Sequence, residues 1–165
     1  MANENNFNEN LNENNFIENY LSKQRKLSTH VQIVIRLRKN ITRTLIRLPK
    51  RYRYIVVNKI LELISDICMY CFQSESIQLS INMSLDDFKL RQRYLTEALS
   101  LSYSLEYELL FLYEFIHAGN NVFQNKAEYD NIFNKLLSLT AKLKTVLTNT
   151  IDNDKNRIKK MKGVI

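Results

Sequence analysis

The chain has 165 residues, a mass of 19.6 kDa, 45% hydrophobic residues and a formal net charge of +7. Two glycines and one proline are too few for the turns of a β-sandwich, a barrel or an α/β fold. They also exclude a glycine-rich phosphate loop. The length suits one domain with tails, and the composition predicts long helices joined by few links.

Residues 1–28 read as an Asn-rich, mostly disordered segment, with nine Asn and four Glu among the first twenty. Their scattered apolar residues cannot form a core. The start carries no basic, apolar leader, and no run of about 18 apolar residues offers a membrane span. The expected location is cytoplasmic, away from membranes.

A first helix is predicted over Thr29 to Leu48. Val34, Leu37, Ile41, Leu45 and Leu48 recur at spacings of three and four, which at about 100° per residue makes one apolar stripe. Arg36, Lys39, Arg43 and Arg47 follow the same spacing, nearly opposite. Pro49 ends this helix and opens a tight turn into the next, so the two should be antiparallel neighbours. The second helix, about Tyr52 to Glu75, carries Val56, Ile60, Ile64, Ile67 and Cys71 on one face. Ser84 with Asp86 and Asp87 marks the start of a third helix, Leu85 to His117. Its seam is Leu95, Ala98, Ser102, Leu105, Leu109, Leu112 and Ile116. Gly119 with Asn120 and Asn121 reads as a cap and turn. The fourth helix, Val122 to Thr150, has Tyr129, Phe133, Leu136, Thr140, Leu143 and Leu147 on its seam. Residues 152–165 read as a basic tail that frays from the fourth helix or extends it. The predicted fold is all-α, an antiparallel up-down four-helix bundle over residues 29–151. Tyr103, Phe111 and Tyr113, off the seams, predict more apolar surface than one bundle buries, and hence a homo-oligomer.

Catalytic chemistry is hard to assemble from these residues. His30 and His117 read as helix-end residues in different helices, without a carboxylate or cysteine at ligand spacing. Cys68 and Cys71 match C-x-x-C, but a structural zinc needs about four ligands and no second pair exists. Two apolar-face residues are the better reading. Glu106 and Glu108 project from different faces of a helix. No catalytic residue, cofactor or metal is predicted, and the chain does not read as an enzyme.

Charge is more informative. From Asn19 to Leu61 there are twelve Lys or Arg and no acid, leaving twelve bases and seventeen acids elsewhere. A solvated helix usually alternates signs, so a run this one-sided points to a polyanion, RNA or DNA first. The predicted nucleic-acid-binding residues are Arg36, Lys39, Arg43 and Arg47, continued around the turn by Lys50, Arg51 and Arg53. Tyr52 and Tyr54 interleave there and could stack on bases.

The turn Leu48-Pro49-Lys50-Arg51-Tyr52-Arg53-Tyr54 resembles the accessory variability determinant proteins of diversity-generating retroelements. These are relatives of the four-helix-bundle proteins encoded in ribosomal-RNA intervening sequences. The family pattern is an aromatic residue or Leu, then Pro-Lys, two variable residues, Arg and an aromatic residue. Leu48, Pro49, Lys50, Arg53 and Tyr54 fill it. The order and lengths of the helices over about residues 29–150 follow the family as well. Where family members often carry arginines midway along the third helix, this chain has Leu105-Glu106-Tyr107-Glu108-Leu109. The resemblance implies a homopentamer with a positive surface that binds RNA and the element's reverse transcriptase. Such a protein supports mutagenic complementary-DNA synthesis without catalysing it. The alternative is a four-helix interaction module whose positive charge meets an acidic protein.

Overall fold

A computed structural model of the chain describes residues 27–48, 56–80, 82–119 and 126–161. They form four helices: α1 Thr29–Ile46, α2 Asn58–Ser76, α3 Leu85–Gly119 and α4 Lys126–Met161. No strand occurs among the described residues. The first 26 residues and residues 49–55, with Lys50, Arg51, Arg53 and the interleaved tyrosines, lie outside the described part, as does the side chain of His117.

Local chemistry accounts for the helix ends. The backbone N–H of Asp87 donates to Ser84 Oγ at 3.0 Å, and that hydroxyl donates to Asp87 Oδ2 at 2.7 Å. This reciprocal cap satisfies one of the orphan donors at the start of α3, a contribution of about 1 kcal/mol. At its other end α1 tightens: Arg47 N–H donates to Thr44 O and Leu48 N–H to Leu45 O, at 3.1 and 3.2 Å. The helix stops before Pro49, where an α-helical residue would clash with the proline ring. A wider π-type turn at Val56 and Val57 leads into α2. α3 runs through Gly119, and Asn120 and Asn121 of the expected cap and turn lie outside the described residues.

The helices pack against one another in the cyclic order α1, α2, α3, α4, with α4 closing on α1. Cross-links give their directions. The start of α1 bonds the end of α2 through Ser28 N–H and Glu75 Oε1. The start of α3 pairs with the end of α4 through Arg91 and Asp154. The end of α1 meets the start of α4 at Arg47 and Glu128. Neighbours are therefore antiparallel, an arrangement compatible with an up-down bundle. α1 and α3 stand on opposite sides of it.

All residues of the four predicted stripes are buried. Each fully buried Leu, Ile, Val or Phe contributes roughly 1.5–3 kcal/mol relative to exposure, well above an exposed ion pair at about 0–1 kcal/mol. The two polar residues of the seams, Ser102 and Thr140, return their hydroxyls to Ala98 O and Leu136 O at 2.7 and 2.9 Å. Their burial therefore leaves no donor unsatisfied.

One expectation is narrowed and one changes. Residues 152–161 extend α4 and do not fray from it: the helix runs on to Met161, and Asp154 and Ile158 are buried at 6% and 8% exposure. The cause is periodicity, because Ile151, Asp154 and Ile158 continue the three-and-four spacing from Leu147 with a charged residue in the stripe. Tyr113 is not an exposed ring either. It packs on the core and its hydroxyl donates to Asp130 Oδ1 at 2.9 Å. Tyr103 and Phe111 are exposed as expected.

Candidate nucleic-acid interface

Because the apolar stripe of α1 turns inward, Arg36, Lys39, Arg43 and Arg47 turn outward, and all four are exposed. Arg36, Lys39 and Arg43 have no ion-pair partner among the described residues, whereas Arg47 lies 3.7 Å from Glu128 of α4. Arg38 belongs to a different flank. The charge of its guanidinium offsets part of the upward push that burial gives the Cys68 thiol of α2.

The face is broader than the sequence suggests, because α4 packs beside it. Arg43 and Arg47 share a shallow depression of about 200 Å³ with Lys135 of α4, over a floor that includes Thr44, Ile132 and Leu136. Lys135 is exposed. Nothing in sequence order groups it with residues some 90 positions earlier; only the antiparallel packing of α1 on α4 does.

On the opposite side of the molecule, α3 shows a second apolar face. Tyr103, Tyr107, Leu110, Phe111 and Phe115 are exposed, Tyr107 to 69%, and the Phe111 and Phe115 rings stack at 5.9 Å. Its acids lie among them, since the helix carries Glu106, Glu108 and Glu114 but no base after Arg93. Glu106 pairs with Lys144 Nζ at 2.5 Å, and that ammonium also sits 4.5 Å from the centre of the Tyr103 ring.

His30 and the cysteines serve the fold. His30 is buried at 1% exposure, and its ring nitrogens lie 3.0 Å from Ser28 Oγ and 3.2 Å from Ser74 Oγ. Burial holds its pKa below the ordinary value; Arg91 pushes the same way, and Glu75 and Asp154 oppose. Arg91 is the hub of this end. Its Nε donates to Asp154 Oδ2 at 2.7 Å, and Nη1 donates to Ser74 O and, at 2.9 Å, to Ile77 O. An arginine thereby satisfies carbonyls at the end of α2, the ordinary use of a cation at a helix C-terminus. Cys68 and Cys71 are free and buried. Burial pushes the Cys71 thiol up to about 12, so it supplies no thiolate near neutral pH.

Among the described residues, no group of three or more His, Cys, Asp or Glu could hold a metal ion, and no helix is long and apolar enough to cross a membrane. Compared with protein families, characterised proteins and solved structures, the chain matches none.

Proposed function

We propose that the chain is a non-catalytic nucleic-acid-binding accessory protein that holds RNA or DNA along α1. One observation carries this reading: four outward cations in register on one helix face, three of them without an ion-pair partner among the described residues. Phosphates bound along this face relieve the mutual repulsion of its cations, and each phosphate engaged releases counterions. The finer reading follows the resemblance in the turn. The protein would be the accessory factor of a diversity-generating retroelement, assembled as a homopentamer in the cytoplasm. It would present RNA to that element's reverse transcriptase during mutagenic complementary-DNA synthesis. The aromatic face of α3 supports self-assembly, because it lies across the molecule from the basic face. Copies joined there leave every basic face open to nucleic acid.

The same α3 face also favours a second reading, a four-helix interaction module in which the cations meet an acidic protein. Binding of single-stranded RNA and of DNA across a salt series separates the two. The parent should bind both tightly at low salt, with little sequence preference, and lose affinity steeply as salt rises. Arg43→Glu/Arg47→Glu should weaken binding at least a hundredfold with helix content unchanged, since both side chains are exposed. Light scattering should give a mass several times 19.6 kDa. Equal affinity for parent and double variant would leave the face merely solvated and the interaction module as the better reading.

A further inference from the structure

The depression between α1 and α4 has a size and a charge that limit what it can hold. At about 200 Å³ it is smaller than the roughly 300–1,000 Å³ of pockets that enclose a drug-sized ligand. Open to solvent and lined by three cations, it suits a single tetrahedral anion. Its three cations come from two sides, Arg43 from α1 with Arg47 from its C-terminal cap, and Lys135 from α4. Arg43 and Lys135 have no ion-pair partner among the described residues. The third is already answering an anion: Glu128 Oε1 stands 3.7 Å from Arg47 Nη1, and both side chains are more than half exposed. Such a pair is weak, about 0–1 kcal/mol, so a better-placed anion displaces it.

We infer that this depression is a seat for one phosphate group of a bound strand. Arg43 and Lys135 form its open jaws, and Glu128 is a built-in competitor that holds Arg47 until the phosphate arrives. Thr44 does not add a donor, because its hydroxyl is spent on Asn40 O at 2.9 Å; recognition is by charge and by the guanidinium forks. This inference rests on the nucleic-acid reading. It goes further in placing the strand in the α1–α4 groove, with α4 supplying a contact that no feature of the α1 sequence implies. A strand lying there is held from two sides, whereas one lying on the crest of α1 touches that helix alone.

The test uses the full chain, a single-stranded RNA oligonucleotide and a salt series, with polyglutamate as the competing polyanion and circular dichroism to check that each variant is folded. Lys135→Gln should weaken RNA binding roughly two- to fivefold, the equivalent of one exposed ion pair. It should also lower the slope of log affinity against log salt by about 0.7, one single-strand phosphate. Glu128→Gln should strengthen binding by a similar factor, because Arg47 is then free. Lys59→Gln, an exposed cation on α2, should change neither quantity. If Arg43→Glu/Arg47→Glu abolishes binding while Lys135→Gln and Glu128→Gln match the parent, the strand follows α1 alone; the seat is then overturned and the nucleic-acid reading stands. Equal losses from Lys59→Gln and Lys135→Gln would show diffuse attraction without a seat. If polyglutamate displaces RNA charge for charge, and both variants shift its affinity as they shift that of RNA, the site takes carboxylates and the proposal fails. A parent that binds no RNA at low salt ends both readings.

Discussion

The two ends of the helices are closed in opposite ways. Where α1 and α3 begin and α2 and α4 finish, the closure is polar: His30 between two serine hydroxyls, and Arg91 clasping Asp154 and the last carbonyls of α2. Where α3 finishes and α4 begins, it is aromatic. Tyr113 stacks on Tyr129 at 5.0 Å and 7°, and Phe133 lies 4.8 Å from Tyr129. The Tyr129 hydroxyl donates to Tyr113 O at 2.5 Å. An aromatic cluster buries large area and needs only its polar tips satisfied. A buried ion pair gains little net energy, because desolvation offsets attraction, yet it is costly to break from one side. The aromatic end thus supplies stability, and the polar end supplies position. Apolar seams alone would tolerate sliding by a turn, but Arg91 reaches Asp154 and the α2 carbonyls in one register only.

Breaking the polar end from one side should have the largest effect. Asp154→Ala leaves the Arg91 guanidinium buried with its two carbonyl partners, Ser74 O and Ile77 O, but no countercharge. About 3 kcal/mol of unfolding free energy should be lost, at the low end of the range for such sites. The low end applies because an open depression of about 210 Å³ beside the pair admits water. Arg91→Met/Asp154→Leu should recover most of that loss in urea melts. A double variant as unstable as the single would show that the carbonyls of Ser74 and Ile77, not the missing countercharge, set the cost. At the aromatic end Tyr129→Phe removes one hydrogen bond and keeps the ring, so the loss should be about 1 kcal/mol. A cost comparable to that of Asp154→Ala would erase the distinction between the ends.

The same contrast explains what could be read in the sequence. Spacings of three and four in Leu, Ile and Val name the inner face of a helix without knowledge of its neighbour, which is why every seam residue from Val34 to Leu147 is buried. Arg91 and Asp154 are 63 positions apart, and each resembles a surface charge until the partner helix is placed beside it. His30 is the helix-end residue expected, but for the same reason its burial could not be read. Of the candidate interface, the outward setting of Arg36, Lys39, Arg43 and Arg47 was legible because it follows from the stripe opposite. Lys135 was not, since only packing brings α4 alongside. Tyr113 misled because a ring off the seam can still be drawn in when its hydroxyl finds a carboxylate, here Asp130.

The smallest expected effect separates the ends by pH. His30 is neutral in the fold, because burial keeps its pKa below the ordinary value of about 6.5. Every charged group that acts on it belongs to the polar end: Glu75 and Asp154 push the pKa up, Arg91 pushes it down, and burial decides the sign. Between the ordinary and the lowered value the unfolded chain binds a proton that the folded chain does not, so stability rises with pH. This contribution is complete above the ordinary histidine range. It falls away as pH drops below about 6.5 and levels off beneath the folded-state value. The aromatic tyrosines stay silent there, since burial moves the Tyr129 hydroxyl further up and the bond to Asp130 does the same for Tyr113. Thermal melts from pH 8 down to pH 5 should therefore show the parent losing more of its melting temperature than His30→Gln, which cannot titrate and retains groups to meet Ser28 and Ser74. Tyr129→Phe should follow the parent's slope, offset by a constant. If His30→Gln and the parent lose the same amount on acidification, the pH sensitivity arises from carboxylates elsewhere, and the histidine is only a well-packed neutral ring.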